Sequence, residues 1–285
     1  MKTKILAGLV GLVILLPALI FIQWPILDAL LVIFCVLAAW ELCGVVGIKN
    51  LPLKIVVTVA APTIAMLIAH PFLRPFGLPM MPMMMALGLT MIVLYLAGFK
   101  KTTFQQLMFA CIASIVVPAA TSTLLLVRNF MLLESGRAVA TFFVLIMLTC
   151  AWLTDAMAYF CGKAFGKRKL CPSISPNKTW AGAVGGVLCT MLLNLAITAM
   201  FSIWVNWIDG FVFLLVVVAS LVLCPISIMG DLLASTLKRN LGIKDFGNIM
   251  PEHGGAIDRC DSFLLVCPAM WAMLSALLAL SGGIL

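Results

Sequence analysis

Charged side chains are scarce in this 285-residue sequence: Asp, Glu, Lys and Arg together make up 10%, hydrophobic residues 64%, and the mean hydropathy is +1.23. Soluble domains are about a quarter charged, so a water-borne globular fold is excluded. Histidine is nearly absent, with two copies, and the ten cysteines form no C-x-x-C pair, which leaves neither a zinc centre nor a disulfide framework. Cys35, Cys150, Cys189 and Cys224 lie inside apolar runs and read as small hydrophobes. A P-loop of the form G-x-x-x-x-G-K-[ST] is missing, as is any Ser/His/Asp or Cys/His arrangement, so acyl transfer by a nucleophilic dyad is not indicated. Acids are outnumbered ten to eighteen, for a net charge of +8. That excess serves membrane orientation and attraction to anionic headgroups better than nucleic acid, and no nucleic-acid partner is expected.

What the chain has in abundance is long apolar runs. Crossing a hydrocarbon core takes roughly 20 helical residues. Nine runs qualify, over 4–24, 26–48, 55–72, 77–98, 104–127, 138–162, 180–203, 210–234 and 261–283. They are continuous rather than alternating, and a spanning segment must satisfy its own backbone, so they are helices. The opening "MKTKILAGLVGLVILLPALIF" resembles a secretory signal but lacks an A-x-A site and reads as a retained first helix. With the N-terminus inside, fifteen of the eighteen Lys and Arg fall on the cytoplasmic side, leaving Arg74, Arg128 and Arg137 outside. The expected fold is an all-α integral membrane protein, a bundle of about nine transmembrane helices, N-in and C-out. A bacterial-type cytoplasmic (inner) membrane would hold it, with the active-site loops facing the cytoplasm.

The chain divides by content into a scaffold, 1–137, and a catalytic half, 138–285, that carries two cytoplasmic loops, 163–179 and 235–260. In the first part "PMMPMMM", Pro79 to Met85, has no His or Cys beside it and reads as core packing. Glu41, near a helix end in "AAWELCG", reads as solvated or lysine-paired. In the second part Asp155 stands inside an apolar run, where an acid costs at least about 2.5 kcal/mol unless paired, so a functional role is the default. Tyr159 and Gly162 follow at helical spacing, the glycine leaving room for a polar ligand. A helix-to-helix salt bridge is the alternative reading of Asp155.

Ser175, Asn177, Lys178 and Thr179 precede a helix start, a place suited to an anion. Asp231, Ser235, Lys238 and Arg239 share one stripe if the eighth helix runs past the membrane surface. Asp258 and Asp261, three apart, share a face at the start of the ninth. Two acids on one helix facing a third from another make a site for a hard cation, and oxygen ligands without a His–Cys set select Mg²⁺. His253, Gly254 and Gly255 permit close backbone approach to a ligand. Mg²⁺ ringed by Lys and Arg suits phosphoryl or nucleotidyl transfer, which is mainly positioning and charge neutralisation.

The run "STLKRNLGIKDFGNIMPEHGGAIDRCDS", Ser235 to Ser262, resembles the signature of the phosphatidate cytidylyltransferases, or CDP-diacylglycerol synthases: S-x-x-K-R, K-D, H-G-G and D-R-x-D-S in order. "GD" at Gly230 and Asp231, "SPNKTWAG" from Ser175 and "DAMAYFCGKAFGK" from Asp155 are also similar to family segments. The resemblance covers the C-terminal half. It implies transfer of cytidylate from CTP to phosphatidate, with Mg²⁺, K⁺ in some members, and a homodimer. By position it makes Asp231 and Asp258 metal-binding carboxylates, with Asp261 in support. Lys238, Arg239, Lys244 and Arg259 would neutralise phosphates. Asp155, Ser175, Lys178, Thr179, Ser235, Asp245, His253, Gly254, Gly255 and Ser262 would line the substrates. Ala156, Ala181, Phe246 and Glu252 depart from the usual family residues. A lipid or polyprenol kinase and an ion-coupled transporter are the competing readings. A transporter would spread its polar residues through the bilayer depth; here they gather on one face.

Overall fold

With no water in the hydrocarbon layer, a backbone that crosses it must close its hydrogen bonds along its own axis, and this chain does so in helices. The computed structural model describes residues 17–69, 80–205, 208–247 and 254–280. In chain order these form α1 (Ile26–Val45), α2 (Leu51–Ala69), α3 (Met80–Ala97), α4 (Phe104–Glu134) and α5 (Arg137–Phe165). A short hairpin, β1 (Lys169–Cys171) and β2 (Ser175–Thr179), follows, then α6 (Trp180–Ser202), α7 (Gly210–Asn240), α8 (Ile257–Cys260) and α9 (Phe263–Leu280). Among the described residues seven helices are long and apolar enough to span a membrane, α8 and α9 counting as one span from Ile257 to Leu280. The expected span at 77–98 corresponds to α3, whose apolar stretch is Met84–Ala97, and most of 4–24 lies outside the described residues. Among the described residues the fold is that of an all-α membrane protein apart from the hairpin.

Packing divides the chain into two compact units, one of Met1–Asn129 with Ile243–Cys260, the other of Phe130–Gly242 with Asp261–Leu285. In the first, α1 packs on α2 and on the first half of α4. The α1–α2 turn is pinned from two sides. Asn50 Nδ2 donates to the Leu94 carbonyl at 3.1 Å, and Gln106 Nε2 donates to the Val46 carbonyl at 2.8 Å while its Oε1 caps Thr103 N. Arg128, expected in an outer loop, is instead buried inside α4, where its guanidinium grips Asp28 through two nitrogens at 2.5 and 2.9 Å. Met85 is 73% exposed, so it is not core packing; in a membrane protein that face meets lipid.

The second unit is built on α5 and α6. The buried residues of α6 are Gly182, Gly186, Thr190, Asn194 and Thr198, every fourth position, all small or polar. Val184, Leu188 and Leu192 point outward. Soluble helices do the reverse; lipid is as apolar as leucine, so membrane helices associate through small residues and hydrogen bonds. A Cβ on Gly182 would come within 2.6 Å of the Ala158 carbonyl, and one on Gly186 within 2.9 Å of the Thr154 carbonyl, so α5 and α6 touch backbone to backbone. Gly162 serves the same contact: a Cβ there would meet Thr179 Oγ1 at 2.9 Å and Gly182 Cα at 3.5 Å. It faces the neighbouring helix rather than leaving room for a ligand.

Candidate active site

Asp155 owes its position to a defect. α5 widens into a π turn over Thr149–Leu153 just before it, and such bulges turn the following side chains and are frequent at functional sites. The bulge is held by neighbours in the same unit. Ser227 Oγ, from α7, donates to the Ala151 carbonyl at 2.9 Å; Thr149 Oγ1 donates to Asn194 Oδ1 at 2.6 Å, and Asn194 Nδ2 donates to Ser220 Oγ at 3.0 Å. Ser227, Asn194 and Ser220 are fully buried.

Beyond the bulge six of the expected residues gather. Lys178, on β2, places its ammonium 3.6 Å from Asp155 Oδ1 and in direct contact with Asp231 Oδ2 of α7. Ser262 Oγ donates to Asp155 Oδ2 at 2.8 Å across 107 positions of sequence, and Ser262 N donates to Asp261 Oδ1 at 2.8 Å. Asp261 lies within electrostatic reach of Asp231, Asp155 and Lys238. Gly230 lets α7 come this close: a Cβ there would stand 3.0 Å from Ser262 Cα. Asp155 is thus ion-paired, as the salt-bridge reading expects, but with a partner on β2 instead of on a helix. Three carboxylates and two ammonium groups share a half-buried patch where Coulomb terms are stronger than in water.

The hairpin delivers Lys178. Pro172 and Pro176 suggest a plain loop, yet a two-stranded ribbon consists only of edges, where proline is tolerated. Lys169 pairs with Thr179 and Cys171 with Ser175. Ser175 opens β2, half-buried, while Thr179 is buried and caps α6, its Oγ1 accepting from Gly182 N at 3.1 Å. α7 runs to Asn240, as the acid-base stripe requires, leaving Ser235 and Lys238 half-buried and Arg239 exposed. Asp258 and Asp261 do not share an uninterrupted helical face, because a turn at 261–262 separates α8 from α9.

The rest of the signature is described within the first unit. Asp258 Oδ2 accepts from Phe246 N at 2.8 Å and from Gly255 N at 3.0 Å. Gly254, at φ +80°, makes the turn between them, a conformation open to glycine. Lys244, Asp245 and Arg259 are exposed, Phe246 is buried, and His253 and Glu252 lie outside the described residues. The residue that sequence reasoning misplaced is Glu41. It is 5% exposed, not solvated, and among the described residues it is not paired with lysine; its carboxylate accepts from Ala256 N at 2.8 Å and Ile257 N at 3.2 Å. The signal was an acid inside an apolar run, the same one that singled out Asp155.

Among the described residues no group of three or more carboxylate, histidine or cysteine side chains is placed to hold a metal ion. The donors that do gather are all hard oxygens, and Asp155 Oδ1 is buried with no hydrogen bond. Such a set suits an ion like Mg²⁺, which takes one or two carboxylates and completes its shell with phosphate and water.

Comparison with known proteins places these residues in context. The profile of the Cytidylyltransferase family matches residues 2–277. A protein of Bacillus subtilis strain 168, named phosphatidate cytidylyltransferase, is 36% identical over 186 residues, 65% of this chain and 65% of its own, just under two thirds of that relative's length. One of the same name from Staphylococcus aureus strain COL is 32% identical over 274 residues, 95% of this chain and 97% of the relative. A third, from Staphylococcus epidermidis strain ATCC 12228, is 39% identical over 143 residues, half of this chain and 52% of the relative.

Proposed function

The chain belongs to the cytidylyltransferase family, and from that membership we infer that it makes CDP-diacylglycerol and pyrophosphate from CTP and phosphatidate. The observation that carries this reading is the meeting of Asp155, Lys178, Asp231 and Ser262, drawn from all the segments that resemble the family. In the reaction an oxygen of the lipid phosphate attacks the α-phosphorus of CTP, the bond to the bridging oxygen of the β-phosphate breaks, and pyrophosphate departs. A phosphate monoester has a second pKa of about 6, so the nucleophile is ionised at neutral pH and no base is needed.

Asp231 and Asp261 would hold Mg²⁺; Asp258 keeps the same role on the strength of the signature alone, and K⁺ as a second ion rests on the resemblance. A divalent ion bound there supplies charge neutralisation for the leaving phosphates. Lys178 and Lys238 act on the same charge, while the Ser262 hydroxyl fixes the orientation of Asp155. In this proposal the site faces the cytoplasm from the inner membrane of a bacterium, N-terminus inside, in a homodimer. The lysine and arginine bias supports the orientation: with Arg128 withdrawn into α4, two of the eighteen remain outside.

The test supplies purified protein with phosphatidate, Mg²⁺ and CTP labelled in either the α- or the γ-phosphate. α-Label in lipid and γ-label in released pyrophosphate are expected. γ-Label in lipid would make the enzyme a kinase and overturn the reading.

A further inference from the structure

Glu41 sits on the last turns of α1, in the part of the chain that sequence marks as scaffold, and its partners are 215 and 216 residues away. Its carboxylate is buried, and a buried carboxylate is tolerable only when its oxygens are filled. Oε1 takes the amide of Ala256 and Oε2 that of Ile257. The loop is shaped around this group: a Cβ added to Gly247 or to Gly255 would land on the Glu41 carboxylate itself. The residues that grip Glu41 are joined directly to those that grip Asp258, whose Oδ2 takes the amides of Gly255 and Phe246. Two carboxylates, from α1 and from α8, thereby fix four successive or facing amides of the signature loop.

We propose that Glu41 is a positioning residue for the reaction: by holding the amides of Ala256 and Ile257 it sets the 254–258 turn and hence the place of Asp258 and of the Gly254–Gly255 backbone. The inference rests on the cytidylyl-transfer reading of that loop. An apolar plug at position 41 would fill the same space without orienting anything, and a solvated acid would not need two glycines cleared for it. Outer-shell groups that orient a ligand are worth about 10- to 100-fold in activity.

The experiment compares the wild type with Glu41→Gln, Glu41→Ala and a reference, Asp28→Asn, which breaks a buried pair of the same unit remote in sequence from the signature. Turnover, KM for both substrates, melting temperature and amide exchange are measured on each. Glu41→Gln keeps one acceptor oxygen and should lose about 10-fold in kcat, and Glu41→Ala about 100-fold. The KM for phosphatidate should stay within about twofold, and the amides of Ala256 and Ile257 should exchange faster. Asp28→Asn should lower the melting temperature and leave kcat and those amides as they are. Should Glu41→Ala fail to fold, the isosteric Gln variant decides. Wild-type turnover in a folded Glu41 variant, or a loss no larger than that of Asp28→Asn, overturns the proposal. If the wild type moves no α-label into lipid, the cytidylyl reading fails instead, and the exchange data still report whether Glu41 holds the loop.

Discussion

Lys178 is the residue on which the charge balance of the second unit turns. Its ammonium stands against Asp155 of α5 and Asp231 of α7. Without it, two carboxylates would confront each other in a half-buried patch, where removing one partner of an ion pair costs up to about 3–5 kcal/mol in full burial and less here, since the side chain is 18% exposed. Lys178→Met is therefore expected to do two things: lower the detergent melting temperature by several degrees, and, on the role proposed for it as a phosphate partner, depress cytidylyl transfer by at least about 100-fold. Lys178→Arg keeps the charge but replaces a compact ammonium by a planar fork, so it should restore the melting temperature while leaving turnover well below wild type. Recovery of both by arginine would show that only charge matters at this position. Sequence marked Lys178, Asp155 and Asp231 singly, by composition and by resemblance. What it could not supply was that one ammonium serves two acids, because a contact between β2, α5 and α7 has no local spacing to betray it.

At the level of the element, the π turn in α5 and the glycine seam between α5 and α6 decide where Asp155 and Lys178 stand. Ser227 Oγ donates to the Ala151 carbonyl in the bulge. Ser227→Ala removes that donor from a carbonyl in an apolar interior, a loss of about 1–3 kcal/mol. A lower melting temperature with kcat reduced more than KM is expected, because Asp155 lies two residues past the bulge. An unchanged melting curve would mean that water or a relaxed helix takes over the carbonyl. The seam is less forgiving. Gly186→Leu places a branched side chain where even a Cβ would sit 2.9 Å from the Thr154 carbonyl, and it should prevent α6 from docking, seen as loss of monodisperse protein on extraction. The spanning helices were legible because twenty apolar residues admit one solution in lipid. Neither the bulge nor the hairpin was legible. A π turn inserts one residue without changing hydropathy, and the prolines at 172 and 176 weigh against strands by a rule that applies to sheet interiors. The i, i+4 stripe of Gly182, Gly186, Thr190, Asn194 and Thr198 stood in the sequence all along as the inverse of a soluble core, readable once the helix is taken as lipid-bound.

For the whole molecule, composition suggests a cut near residue 137 between scaffold and catalytic half, whereas packing assigns Ile243–Cys260 to the same unit as Met1–Asn129. The physical reason is Glu41. Within the first unit Asp28 and Arg128 satisfy one another, but the partners of Glu41 come from Ala256 and Ile257. A fragment of residues 1–137 keeps the Asp28–Arg128 pair but strips the Glu41 carboxylate of both donors and of the loop packed on it, a defect worth several kcal/mol where lipid or detergent takes the loop's place. Expressed alone, this fragment should aggregate on detergent extraction; expressed together with 138–285 it should give a complex that transfers cytidylate. The decisive variant is the fragment carrying Glu41→Leu. Leucine asks for no hydrogen bond, so that fragment should run as a monodisperse species in size-exclusion chromatography where its parent does not. In the reassembled full chain the same Glu41→Leu change should cost activity, since the amides of Ala256 and Ile257 then lose their acceptor and Asp258 alone holds the turn. A parent fragment that is already monodisperse, with a cooperative melt, would show that the first unit closes without the signature loop.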